Sequence, residues 1–270
     1  MSNSANNSPS LAAPAGLPLA GRIAIITGAS VGIGLATAAE MLSLGARVVI
    51  NARREAALHE AAMSLDATGT LVIPVAGDCA DAATIAALMR APAEKFNAAP
   101  DLVVVNAGRG LKGSVTDSDE TQWEDMLRTN VLGAARLIRA AAAAMTSLST
   151  DWQTSPRDVI VIGSVVGRHV SPFSSMYGST KFAIAGMVEG VRRELGPKGI
   201  RVTNIEPGFV TSEFQGVAGY ADEWYKSVVD KIGPVLLPAD VARTICMVAA
   251  QPAHIHLSNI LLRPTRQDYP

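Results

Sequence analysis

The sequence predicts an α/β protein built on a doubly wound parallel sheet, and three observations lead there. Seven short β-branched runs alternate with longer helical stretches. Most of those runs are apolar on both sides of the pleat, the pattern of strands covered by helices on two faces. The first run opens directly into a glycine-rich turn followed by a helix. The strands read as Ile23 to Thr27, Arg47 to Asn51, Leu71 to Val75, Leu102 to Val105, Val159 to Ile162, Val202 to Ile205 and Ile260 to Leu262. Each is too short for a helix and rich in Val, Ile or Leu. The helices between them run from about Ile33 to Leu44, Glu55 to Leu65, Asp81 to Phe96, Thr121 to Ser147, Ser175 to Leu195 and Pro238 to Ala250. A doubly wound sheet of seven such units has the strand order 3-2-1-4-5-6-7.

Length and composition fit one such unit. The 270 residues are 49% hydrophobic and 17% charged, ample for a substantial core. Residues 1–20, rich in Ser, Asn, Ala and Pro with no charged side chain before Arg22, read as a disordered tail, and 21–270 as a single domain. The tail lacks the basic and apolar regions of a secretory signal and the arginines of a mitochondrial presequence. A net charge of −1 provides no long-range field for nucleic acid or anionic lipid. The uncharged run Ile23 to Ala39 is short of a membrane span and is interrupted by glycines. Cys79 and Cys246 make no disulfide framework and read as two small core residues, so a cytoplasmic location is expected. His254 and His256 alternate on one face of a possible strand without a third ligand at metal spacing, so no metal is expected.

Gly28, Gly32 and Gly34 punctuate the turn Thr27-Gly28-Ala29-Ser30-Val31-Gly32-Ile33-Gly34. Without Cβ atoms, such a turn lets a pyrophosphate approach the backbone and aims the following helix N-terminus at the anion. The second strand ends in Asn51-Ala52-Arg53-Arg54, with no acid where an NAD enzyme places one for the ribose hydroxyls. Arg53 and Arg54 suit a 2′-phosphate instead; a charge pair about 4 Å apart is worth about 1 kcal/mol in water and about 4 at an effective dielectric near 20. NADP(H) is therefore expected over NAD(H). Ser30 adds a hydroxyl to the same phosphate, and Asp78, after the third strand, either meets the adenine amino group or caps the next helix.

Tyr177 and Lys181 stand four apart on one helical face, downstream of Ser164 at a strand end. Moving a hydride to a carbonyl leaves alkoxide character on oxygen, and a positioned phenol can supply the proton. Alcohol oxidation needs the phenolate, of which only about a thousandth is present at pH 7 for an unperturbed phenol. Lowering that pKa by about three units takes about 4 kcal/mol, a task for Lys181 and a nicotinamide cation together. Ser164 would orient the substrate oxygen. Arg109, Lys112 and Arg168 are either greeters of an acidic substrate or solvated rim charges. Between Gly208 and Pro234 the pattern loses regularity while Phe209, Phe214, Tyr220, Trp224 and Tyr225 cluster, which suggests a substrate lid over about 209–234.

In order along the chain, the glycine turn, Asp78, Asn106-Ala107-Gly108, Asn130, Ser164, Tyr177-Gly178-Ser179-Thr180-Lys181 and Pro207-Gly208 with Thr211 resemble the short-chain dehydrogenase/reductase family, from about Gly21 to Arg266. Val31 and Val105 depart from it, where NADP-preferring relatives often carry a basic residue and many relatives an Asn. The resemblance implies a Rossmann fold and a catalytic set of Asn130, Ser164, Tyr177 and Lys181, with Asn130 positioning a relay water and Lys181 also holding the nicotinamide ribose. It further implies that Asn106, Ala107 and Gly108 line the adenosine side, and that Pro207, Gly208, Val210 and Thr211 shape the nicotinamide pocket with Ile33 at the turn. The C-terminal Leu261 to Gln267 is similar to the 3-hydroxy acid, serine and clavulanate-type dehydrogenases. A small-molecule carbonyl or alcohol substrate is expected, as is a homotetramer or homodimer. A catalytically silent NADP(H)-binding regulator and a 3-oxoacyl-type reductase are the competing readings; the latter would need a basic entrance patch, which net charge does not reveal.

Overall fold

The computed structural model describes residues 16–169, 172–212 and 214–268. Seven parallel strands, β1 (Ile23–Thr27), β2 (Arg47–Ala52), β3 (Val72–Ala76), β4 (Leu102–Val105), β5 (Arg157–Ile162), β6 (Ile200–Pro207) and β7 (Asn259–Leu262), form one sheet. Their order is β3-β2-β1-β4-β5-β6-β7, as the alternation of runs predicts. Alternation within each strand explains the two faces. Ala24, Ile26, Val48, Ile50, Leu102 and Val104 pack on one side with helices α1 (Gly32–Ser43), α2 (Glu55–Leu65) and α9 (Pro238–Ala249). Ile25, Val49, Val103, Val105, Val159 and Val161 pack on the other with α3 (Ala82–Phe96), α5 (Ala134–Thr146) and α6 (Ser175–Leu195). In α5 the buried Ala134, Leu137, Ile138, Ala141 and Met145 recur at helical spacing, which turns that stripe onto the sheet.

The structure differs from expectation at three places. Strand β6 is twice as long as its apolar run because Arg201, Thr203, Asn204 and Glu206 are buried too. Arg201 and Arg22 clamp Asp158 at the amino edge of the sheet, at 2.7 and 2.8 Å, and Arg22 also meets Asp101 at 2.8 Å. The expected helix from Thr121 to Ser147 is broken: α4 (Trp123–Leu127) passes through a wide π turn at Arg128–Gly133 before α5 begins. The irregular segment after β6 contains two helices, α7 (Phe214–Ala218) and α8 (Asp222–Ile232).

Of the expected N-terminal tail, residues 1–15 lie outside the described residues; Leu19 is fully buried and donates its N–H to the Leu44 carbonyl at 2.9 Å. Both cysteines are buried free thiols. His256 has its ring Nε2 3.0 Å from the Val202 N and 2.9 Å from its carbonyl, placing it against β6. Among the described residues no helix is long and apolar enough to cross a membrane, and no group of three or more His, Cys, Asp or Glu could hold a metal.

Candidate active site

The carboxyl ends of β1, β2, β4, β5 and β6 open into one cavity of about 720 Å³, with the segment after β6 along its side. The glycine turn forms its floor at one end. Gly32 sits at φ +61°, and a Cβ there would have no neighbour closer than 3.8 Å, so the backbone faces open space. Gly34 is buried instead: a Cβ there would lie 2.3 Å from the Gly28 carbonyl oxygen, so this glycine lets α1 pack against the turn. Helix α1 starts after Val31, which offers no side-chain cap, and no acid occupies the first turn. Its first N–H groups and the positive end of its dipole are left for an anion. Asn106 fixes the turn by donating to the carbonyls of Thr27 and Gly28 at 2.8 and 3.0 Å, while Ala107 N–H donates to the Thr27 hydroxyl at 3.1 Å.

Gly28, Ser30, Gly32, Ile33, Arg53, Arg54, Asp78, Asn106, Ala107 and Gly108 all line this half. Arg53 is largely exposed, 4.0 Å from Asp125. Asp78 accepts from the Ala80 N–H at 2.8 Å and pairs with Arg128, and these contacts hold its carboxyl below the ordinary range in spite of partial burial. Asn51, which the sequence reading did not assign, also lines the cavity and ties β2 to β3 by donating to the Val75 and Gly77 carbonyls at 2.9 and 3.1 Å.

At the other end, Ser164 leaves β5 and Tyr177 and Lys181 project from the first turns of α6. The hydroxyl of Ser164 accepts from the Val166 N–H at 3.3 Å and hydrogen-bonds the Tyr177 phenol. Burial pushes the Tyr177 pKa up and the Ser164 contact opposes it, so the phenol is protonated at neutral pH. Lys181 is buried; its ammonium donates to the Ile162 carbonyl at 2.8 Å and lies 5.8 Å from the centroid of the Tyr177 ring. Desolvation lowers its pKa to about 8. Burial and the neighbouring Tyr220 phenol raise the Tyr177 pKa, and the Ser164 hydrogen bond is what opposes them.

Asn130, in the π turn, stands behind the cavity wall. Its Oδ1 accepts from the Arg109 N–H at 2.8 Å, and its Nδ2 donates to the Arg109 carbonyl at 2.9 Å and the Thr180 hydroxyl at 3.1 Å. Pro207, Gly208 and Val210 line the cavity, whereas the Thr211 hydroxyl turns to the Tyr225 phenol at 2.7 Å and is not part of the lining. Gln267 lines it as well, and its Oε1 accepts from the Phe209 N–H at 2.9 Å, fastening the C-terminal segment to the start of the aromatic stretch. Nothing in its local pattern marks Gln267, because its partner is 58 residues away.

The chain is 30% identical over 246 residues to an uncharacterized oxidoreductase of Staphylococcus aureus (strain N315), covering 91% of this chain and 98% of that protein. It is 29% identical over 247 residues to the glycine betaine reductase of Emericella nidulans, covering 92% of this chain and only 19% of that much longer protein. The closed form of a serine dehydrogenase complexed with NADP+ superposes with a TM-score of 0.81 at 28% identity, over 92% of this chain and 96% of that one. A family model described as short chain dehydrogenase matches residues 22–221, a span that runs from β1 through the Tyr177 and Lys181 helix into the aromatic segment. The glycine turn and the Tyr177 phenol both lie within that matched span: this protein belongs to the short-chain dehydrogenase family of oxidoreductases.

Proposed function

We propose that the protein is an NADP(H)-dependent oxidoreductase that interconverts a carbonyl and a secondary or primary alcohol, with Tyr177 as general acid and base. The observation that carries the reading is the meeting of Tyr177, Ser164 and Lys181 in the same cavity as the glycine turn and the Arg53–Arg54 pair.

The cavity suits a dinucleotide in size and in its uncapped helix terminus. Gly28, Ser30, Gly32 and Ile33 would hold the pyrophosphate, with Gly34 permitting the close turn. Arg53 and Arg54 would hold the 2′-phosphate, and Asp78 the adenine. Asn106, Ala107 and Gly108 would flank the adenosine ribose, and Pro207, Gly208 and Val210 the nicotinamide. Bound there, the nicotinamide supplies the site that gives or takes a hydride at the substrate carbon. The NADP+ complex of the serine dehydrogenase supports a phosphorylated cofactor, as does the absence of an acid at the end of β2.

Ser164 donates to the substrate oxygen and Tyr177 delivers the proton to it in reduction. Burial keeps the phenol in the protonated form that reduction requires. In oxidation the Lys181 ammonium stabilises the phenolate, and Lys181 also holds the nicotinamide ribose hydroxyls. Asn130, bonded to both main-chain groups of Arg109, positions a water that relays protons to solvent. Residues 209–234 act as the substrate lid. The test is a panel of carbonyl compounds followed by NADPH and NADH absorbance with Tyr177→Phe as control. NADPH oxidation by the wild type and none by the variant is expected; NADPH binding without turnover across the panel would point to a silent binding protein.

A further inference from the structure

Resting on that reading of the cleft, we infer that the substrate is an uncharged carbonyl compound, or the matching alcohol, with a bulky apolar body of aryl size, rather than a small hydroxy acid. The chain holds 5 Phe, 4 Tyr and 3 Trp, and six of these twelve line this one cavity: Phe173, Tyr177, Phe209, Phe214, Tyr220 and Trp224. Phe214 lies 5.5 Å from Tyr177 between ring centroids, which places an apolar wall immediately beside the proton donor. Tyr220 stacks on Trp224 at 4.3 Å and 17°, and Phe209 packs on the same Trp at 5.9 Å. The lining is also unfinished. Phe173 is 70% exposed, Val217 58% and Trp224 39%, all around the same cavity, and an apolar ligand would remove that surface from water.

Charge favours the same class. Of the three cations that could greet a carboxylate, Arg109 is bound to Asp125 and Gln122, Arg168 is bound to the buried Glu206, and neither Arg168 nor the exposed Lys112 lines the cavity. An acid entering the cavity would have to compete with Asp125 for Arg109. Lys231 lines the cavity but is solvent-exposed, where water and salt weaken its pull. The Tyr220 phenol of the aromatic wall is engaged as well, with Ser174.

Two methyl ketones, benzylacetone and acetoacetate, carry the two kinds of body, an uncharged aryl group in the first and a carboxylate in the second. With NADPH, kcat/KM for benzylacetone is expected to exceed that for acetoacetate at least about tenfold. Trp224→Ala lowers the benzylacetone value about tenfold, chiefly through KM, and Trp224→Phe restores most of it. Calorimetric titration of benzylacetone and acetoacetate into Tyr177→Phe with saturating NADPH reports binding without turnover. Tighter binding of benzylacetone there, even with an inactive wild type, supports this inference and sinks the catalytic reading instead. Equal or tighter binding of acetoacetate, weakened by Lys231→Met, or no binding of benzylacetone, overturns it.

Discussion

The ammonium of Lys181 donates to the main-chain carbonyl of Ile162 at 2.8 Å, so the last residue of β5 holds a buried cation beside the Tyr177 phenol. That contact fixes the side chain across from the phenol, while burial costs the charged form. The lysine pKa falls from 10.5 to about 8. Below pH 8 the folded protein bears the full cost of that buried charge. Between pH 8 and 10.5 the unfolded chain binds more protons than the folded one, so this group makes stability rise with pH. Relative to Lys181→Met, the wild type is expected to gain up to about 3 kcal/mol across that window, measured by urea unfolding. A constant gap between the two would refute the assignment of a buried ammonium.

Tyr177→Phe is expected to abolish turnover, a loss of at least about 10³-fold in kcat. Because the ring survives, its packing on Phe214 persists and the NADPH dissociation constant, read by nucleotide fluorescence, should move less than about threefold. Activity within an order of magnitude of wild type would remove Tyr177 from its role.

Arg53 and Arg54 are exposed, so their hold on a 2′-phosphate is screened. The double change to Ala should weaken NADPH binding about 10- to 100-fold and leave NADH within about threefold, with the NADPH loss shrinking in high salt. Equal losses for both nucleotides would show that the pair does not read the phosphate.

Asp158 is fully buried between Arg22 and Arg201 at the opposite edge of the sheet from the cleft. Asp158→Asn leaves two buried guanidinium groups without their shared anion, and should cost about 3–5 kcal/mol in chemical denaturation. The kcat of whatever fraction stays folded should not change. A destabilisation under about 1 kcal/mol would mean that water reaches this network.

Asn130 satisfies both the N–H and the carbonyl of Arg109. Asn130→Ala strands these groups and is expected to lose about 1–3 kcal/mol of stability. If it also positions a relay water, kcat falls further than KM changes, and the deficit is partly relieved at high buffer concentration; a loss confined to stability would make Asn130 purely structural.

Much of this was legible along the chain because it is local. Strand β1 and helix α6 match their expected spans, since a continuous branched run and a long helical stretch report their own conformation. The four-residue spacing of Tyr177 and Lys181 likewise guarantees one helical face. The expectation failed where polar residues are buried by distant partners. Arg157, Asp158, Arg201 and Glu206 read as strand boundaries by hydropathy, yet they lie inside β5 and β6 because ion pairs and hydrogen bonds satisfy them. The π turn at Arg128–Gly133 was equally invisible, and within it Asn130 meets the backbone of Arg109, 21 residues away. In the segment after β6, too short an apolar periodicity concealed α7 and α8.

The sequence by itself determined the parallel sheet, the glycine turn before α1 and the phenol–amine pair on α6, because each depends on neighbours within a few residues. Only the tertiary structure decided which charges are spent and which groups are dry. Ile162 receives Lys181, Asp125 takes up Arg109, Glu206 takes up Arg168, and half of the aromatic side chains converge on one wall. Those outcomes are set by desolvation and by partners many residues apart, which no local pattern encodes.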